Sequence, residues 1–206
     1  MAVLIIFAGK AGTGKSTLSR IIAKEDKIAY LDYDTLNQSF LTSIENKIGF
    51  KDTDRYGFYR EWREPCYSTL FNTAIENLEL GISVIISAPL TKELQDSNFP
   101  DKLKSKVKND FSLLLFYMAP SLAQHKKMIC ERNSIRDEDF LNNEERFIET
   151  LSPEKPKWNE ETTVILTSSD IEINKEIVLK RVKALRRSDK KVNRKDVALF
   201  LPVMKQ

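Results

Sequence analysis

The chain has 206 residues, enough for one well-cored domain with length left over for a lid or tail. Hydrophobic residues at 41% and charged residues at 31% exclude a disordered chain, and a net charge of +3 gives no ground of its own for a nucleic-acid or membrane partner. Two distant cysteines, Cys66 and Cys130, and a single histidine, His125, supply neither a zinc cluster nor a Ser–His–Asp triad. The cysteines read as free thiols in a reducing cytoplasm.

The first apolar run, Val3 to Ala8, is too short to span a bilayer and reads as a buried strand. Further runs at 28–33, 82–87, 112–117 and 163–167 read as four more strands, continuous rather than alternating, as strands buried on both faces are. Helical spacing separates them. Leu18, Ile21 and Ile22 mark one helix; Leu36, Phe40, Leu41, Ile44 and Ile48 mark a second; Trp62, Cys66, Leu70, Ala74 and Leu78 mark a third, closed by Gly81. A short helix follows Pro100. Residues 120–132 and 137–151 read as two helices hinged at Asn133–Ser134, and 152–159 as a connecting loop. Strands alternating with helices predict an α/β fold on a parallel sheet. The segment 180–195 is rich in Lys and Arg, so the division expected is a domain over 1–170, with a lid at about 121–150, and a basic helical tail over 171–206. A stripe of this kind on a terminal helix reads first as solvated surface.

The strongest signal is Gly9-Lys10-Ala11-Gly12-Thr13-Gly14-Lys15-Ser16-Thr17, a complete GxxxxGK[ST] pattern between a strand and a helix. Backbone amides of Gly9, Ala11, Gly12, Thr13, Gly14, Lys15, Ser16 and Thr17 are expected to cradle a polyphosphate at a helix N-terminus. Lys15 is expected to reach the β- and γ-phosphates, and the Ser16 hydroxyl to hold Mg²⁺. Asp32 and Asp34 follow at the end of the second strand, at the sheet edge where ligands of open α/β folds sit. Strand alternation predicts both on one side, with Asp32 orienting the metal's water and Asp34 taking the proton of an attacking hydroxyl. Alternatively, Asp34 caps a helix beginning near Thr35.

Arg132 and Arg136 flank the expected hinge and suit a closing lid that stabilises phosphoryl-transfer charge; Arg146, farther along, reads as solvated. Between the second and third strands, Arg55, Tyr59, Arg60 and Arg63, with Trp62, form the densest mix of cations and aromatics and are the candidate acceptor contacts. Packing of Trp62 into the core with the arginines in solvent is the competing reading. His125 shares an apolar face with Leu122 and Ile129 and reads as structural.

With GKAGTGKST, LDYD and ERNSIR in this order, the chain resembles the small P-loop kinases: the shikimate and gluconate kinase group, chloramphenicol phosphotransferase, polynucleotide kinase and zeta-toxin-like kinases. The resemblance implies a P-loop NTPase three-layer α/β/α fold, a five-stranded parallel sheet of order 2-3-1-4-5 and a helical lid. It further implies ATP and Mg²⁺ as cofactors and a small-molecule hydroxyl acceptor facing the aspartate after the second strand. One departure stands out: the third strand ends Ile85-Ile86-Ser87-Ala88-Pro89, with no Walker B acid. That shifts metal orientation to Asp32, with Ser87 as a candidate water ligand, while 167–169 takes the place that often borders adenine. The expected activity is kinase transfer of the γ-phosphate to a small-molecule hydroxyl. The alternatives are a polynucleotide 5′-hydroxyl kinase and a non-kinase nucleotide-binding ATPase or regulator. No membrane partner is expected, nucleic acid is not favoured, and the sequence sets no oligomeric state.

Overall fold

The computed structural model describes residues 1–49, 55–133 and 144–198. A five-stranded parallel sheet is built from β1 (Ala2–Gly9), β2 (Ala29–Asp32), β3 (Val84–Ser87), β4 (Phe111–Met118) and β5 (Thr163–Leu166), in the order β2-β3-β1-β4-β5. Helices α1 (Lys15–Asp26), α2 (Tyr33–Ile48), α3 (Arg55–Glu61), α4 (Arg63–Glu79), α5 (Phe99–Lys104), α6 (Leu122–Arg132), α7 (Glu144–Leu151) and α8 (Ile171–Ala198) connect and flank it. The expected fold class and strand order therefore hold.

The central strand shows why its run is unbroken. Leu4, Ile6 and Ala8 face one layer with Leu70, Ala74 and Leu78 of α4, while Val3, Ile5 and Phe7 face the other with Leu18 and Ile22 of α1. Period-2 alternation thus feeds two cores at once, and a polar residue on either side would be buried. Gly81 ends α4 as expected, at φ 77°, with its N–H on the Leu78 carbonyl and the Ile82 N–H on Asn77. This paired closure satisfies carbonyls the helix would leave open.

One expectation changes. The second strand stops at Asp32 and a helix starts at Tyr33, because the Asp32 carboxylate accepts the Thr35 N–H and caps that helix. Asp34 therefore stands in the first turn of α2, and neither the strand alternation nor its role as the cap holds. The α2 stripe is only partly buried: Leu41 is covered, whereas Phe40 is 56% exposed. Beyond residue 170, Val178 and Val182 of α8 are buried against α1 and the sheet. Arg186 adds an ion pair to Asp26 at 3.1 Å. Among the described residues, no helix is long and apolar enough to cross a membrane.

Candidate active site

The loop after β1 turns back at the sheet's C-terminal edge through backbone that L side chains resist. Gly9 lies at φ 140°, where a Cβ would stand 2.6 Å from the Met118 carbonyl oxygen. Gly12 lies at φ 78°, where a Cβ would meet Ile129 Cγ1 at 2.7 Å. Both positions accept only glycine without displacing a neighbour. Within the turn, the Lys10 carbonyl accepts the Thr13 hydroxyl at 2.9 Å and the Lys15 ammonium at 2.6 Å. Burial lowers Lys15 from its ordinary 10.5 to about 8; Asp34 and Asp32 oppose that fall and Arg132 adds to it. Among the described residues no carboxylate is in direct contact with the ammonium, the setting in which an incoming polyanion gains most.

Beside the lysine, the Ser16 hydroxyl donates to Asp32 Oδ2 at 2.9 Å and lies 3.2 Å from the Ser87 hydroxyl. Asp32 and Ser87 are register partners at the ends of β2 and β3, which is why residues 55 positions apart meet here. Tyr30, two residues earlier on the same strand face, donates its phenol to the same Oδ2 at 2.9 Å. The Thr35 amide and hydroxyl satisfy Oδ1 at 3.1 and 3.2 Å. Burial pushes the Asp32 carboxyl up, but donation from Thr35, Ser16, Tyr30 and Ser87 outweighs it and holds the group below the usual carboxylate range. These oxygens suit a hard cation that completes its shell with phosphates and water.

Lys15, Ser16, Asp32, Asp34 and Arg132 all line one open cleft of about 840 Å³, closed on one side by α6 and near Ser169 and Ile171 after β5. Asp34 and Arg132 are both exposed. Arg136 lies outside the described residues, and Arg146 falls within α7. Of the acceptor candidates with described side chains, Tyr59, Arg60 and Arg63 do not line the cleft. Arg55, Tyr59 and Arg60 belong to α3; Tyr59 packs edge-on to Phe58 at 5.5 Å, and Arg60 is exposed. Arg63 is turned away to Glu93 at 2.6 Å, each side chain about a tenth exposed (11% and 10%), with its guanidinium 4.2 Å from the centre of the Tyr67 ring. It fixes α4 to the segment after β3. Trp62 joins a small cluster with Leu41, Phe58 and Cys66, as its competing reading had it.

A family profile described as an AAA domain matches residues 4–152. The chain belongs to that family. Its fold is that of the small P-loop kinases. A sugar kinase from Janibacter sp. HTCC2649 superimposes with a TM-score of 0.60 at 17% identity, covering 89% of this chain and 95% of that one. A gluconokinase from Sinorhizobium meliloti 1021 gives 0.54 at 19%, covering 94% and 97%. The APS kinase of Mycobacterium tuberculosis in complex with AMPPNP and APS gives 0.51 at 21%, covering 88% and 98%. No curated protein sequence matches the chain.

Several residues of this P-loop site carry no motif. Arg20, Met128 and Glu131 line the cleft. Arg20 stands one helical turn after Ser16, and Tyr30 sits two before Asp32, so helix and strand spacing from the motif residues are the signals that reach them. His125 is 1% exposed and contacts the phosphate loop itself, its Nε2 lying 2.7 Å from the Ala11 carbonyl oxygen.

Proposed function

We propose that this protein is an ATP-dependent kinase that transfers the γ-phosphate to a hydroxyl group of a small molecule. The observation that carries the reading is the meeting of a buried ammonium (Lys15), a hydroxyl–carboxylate pair (Ser16 and Asp32), a carboxylate (Asp34) and a guanidinium (Arg132) around one cleft at the end of the central strand. The sharing of a fold with proteins named sugar kinase, gluconokinase and APS kinase supports a small-molecule acceptor.

In this reading the loop amides and Lys15 bind the β- and γ-phosphates. Ser16, with Asp32 and Ser87 behind it, would hold Mg²⁺, which when bound neutralises phosphate charge. The acceptor oxygen forms a bond to the γ-phosphorus as the bond from phosphorus to the bridging oxygen breaks, and that electron pair leaves on ADP. Asp34, exposed at the first turn of α2, accepts the hydroxyl proton. Arg132, at the end of α6, offsets charge on the transferred group, joined in the proposal by Arg136. Arg55, Tyr59 and Arg60 of α3 are assigned in this reading to the part of the acceptor that extends beyond the cleft wall, while Arg63 serves by fixing α4 through Glu93.

The test is incubation with ATP labelled at the γ-phosphate and a panel of sugars, nucleosides, amino-alcohols and 5′-hydroxyl oligonucleotides. Label is expected in one small-molecule class. Asp34→Asn is expected to lower transfer by roughly 10²–10⁴, the usual worth of a general base, with nucleotide affinity kept. Arg132→Ala is expected to lower turnover by roughly 10²-fold, the low end for such a charge. Wild-type turnover in Asp34→Asn would remove the base assignment, and label entering only oligonucleotides would replace the small-molecule reading.

A further inference from the structure

A loop that points its amides at an anion must point the carbonyls of the same peptide units the other way, and those turned away from solvent need a donor. Here the Lys10 carbonyl is served from within the loop by Thr13 and Lys15. The next carbonyl, that of Ala11, is served from 114 residues away, by His125 on α6. A carbonyl only accepts, so the proton of the imidazole sits on Nε2.

The contact is one of a set. Residues 125, 128, 129 and 132 follow helical i, i+3, i+4, i+7 spacing, so one face of α6 carries all four. Ile129 would be 2.7 Å from a Cβ on Gly12, Met128 would be 3.4 Å from one on Gly14, and Arg132 lines the cleft. Behind this face, Phe147 and Leu151 of α7 pack on Ile129, and the Phe147 ring lies 5.9 Å from the imidazole. The loop therefore rests on the helix that carries Arg132, and His125 ties the two through a polar contact.

We infer that His125 is a positioning residue: its Nε2–H holds the Ala11 carbonyl outward, which keeps the loop's amides aimed at phosphate and couples that state to the helix bearing Arg132. The inference rests on the nucleotide-binding reading above. It goes beyond it by assigning a role to a side chain that touches neither phosphate nor acceptor.

Two variants and one spectrum test it. His125→Phe keeps a ring against Phe147 and removes the donor, whereas His125→Gln keeps an N–H at a similar distance from Cβ. Calorimetry with Mg-AMPPNP is expected to give a Kd raised about tenfold or more in His125→Phe, on the scale of one lost hydrogen bond, and within about threefold of wild type in His125→Gln. The KM for the acceptor is expected to stay unchanged in both. Wild type serves as the control. If it fails to bind Mg-AMPPNP, the nucleotide reading falls and takes this inference with it. If it binds while His125→Phe stays within about twofold, or while His125→Gln is as impaired as His125→Phe, the inference alone is overturned. The chain contains one histidine, so ¹⁵N-labelled wild type gives a single imidazole spectrum even if a variant does not fold. An Nε2-protonated tautomer with a slowly exchanging proton that shifts on Mg-AMPPNP addition supports the tie. An Nδ1-protonated ring, or a signal unmoved at saturation, refutes it.

Discussion

Replacing Lys15 by methionine separates what the ammonium does for phosphate from what it costs the unliganded fold. Burial takes Lys15 from 10.5 to about 8 against the pull of Asp34 and Asp32. At about 1.36 kcal/mol per pH unit, the gap is a penalty of about 3 kcal/mol for keeping the charge at neutral pH. The sign follows from proton counting. Below about 8 both folded and unfolded chains hold the proton, and the fold bears the whole penalty. Between about 8 and 10.5 the folded protein releases it while the unfolded chain keeps it, so this group makes stability rise with pH across that window. Lys15→Met removes the charge at similar length but also removes one of two donors to the Lys10 carbonyl, a loss of about 1 kcal/mol. The nucleotide-free variant is thus expected to be more stable than wild type by about 2 kcal/mol at pH 7, or about 4–8 °C in Tm for a chain of this size. By pH 10 the gain should be close to nothing. Added Mg-AMPPNP should raise the Tm of wild type and leave the variant unmoved. Thermal melts at both pH values, with and without ligand, decide it. A variant that melts at or below wild type at pH 7, or one whose advantage is the same at pH 10, refutes the reasoning.

Two glycines at positive φ offer a matched pair. Gly81→Ala meets nothing within 4 Å and should cost about 1 kcal/mol from backbone conformation alone. Gly12→Ala adds the clash with Ile129 and should cost about 2–5 kcal/mol while weakening nucleotide binding, as thermal melts and calorimetry would show. Equal effects would mean that the loop does not rest on α6. Glu93→Gln removes the buried partner of Arg63 and leaves its guanidinium, 11% exposed, with only the solvent-exposed Glu64 carboxylate at 3.2 Å, at an expected cost of up to about 3 kcal/mol by denaturant unfolding. The double variant Arg63→Met, Glu93→Met should recover more than half of that loss, and a further loss instead would show the pair to be net stabilising.

The sheet and phosphate loop were legible because their signals are local. Val3 to Ala8 is apolar at every position since both faces of β1 are buried, and the glycines that follow have no substitute at their φ values. The aspartates misled for a local reason as well. Alternation assumes that the strand continues, but a carboxylate at position 32 is itself a helix cap, so the residue read as a ligand also ends the strand that was used to place Asp34. Long-range pairings left no trace in the sequence. Nothing near Arg63 announces Glu93, and nothing near His125 announces Ala11. In α8 the buried stripe of Val178 and Val182 sits at regular spacing but is outnumbered by lysine and arginine, so charge density hid a core-forming helix.

The missing acid after the third strand has a physical resolution in the site. Register pairs Asp32 with Ser87, so a carboxylate at the end of β2 and one at the end of β3 would be side-by-side neighbours, each raising the cost of ionising the other. With Asp32 already there, a serine is the better occupant of the second place. It supplies a hydroxyl 3.2 Å from Ser16 Oγ without a second buried charge. Asp32 in turn stays ionised despite burial because Ser16, Tyr30 and Thr35 all donate to it, and because it stands at the positive end of α2. The aspartate that caps α2 is therefore tuned and oriented by that helix. Asp34, two residues on from that carboxylate, stands in the first turn of the helix and lines the open cleft. One helix start thus gives two acids different environments, one locked beside the phosphate loop and one exposed in the open cleft.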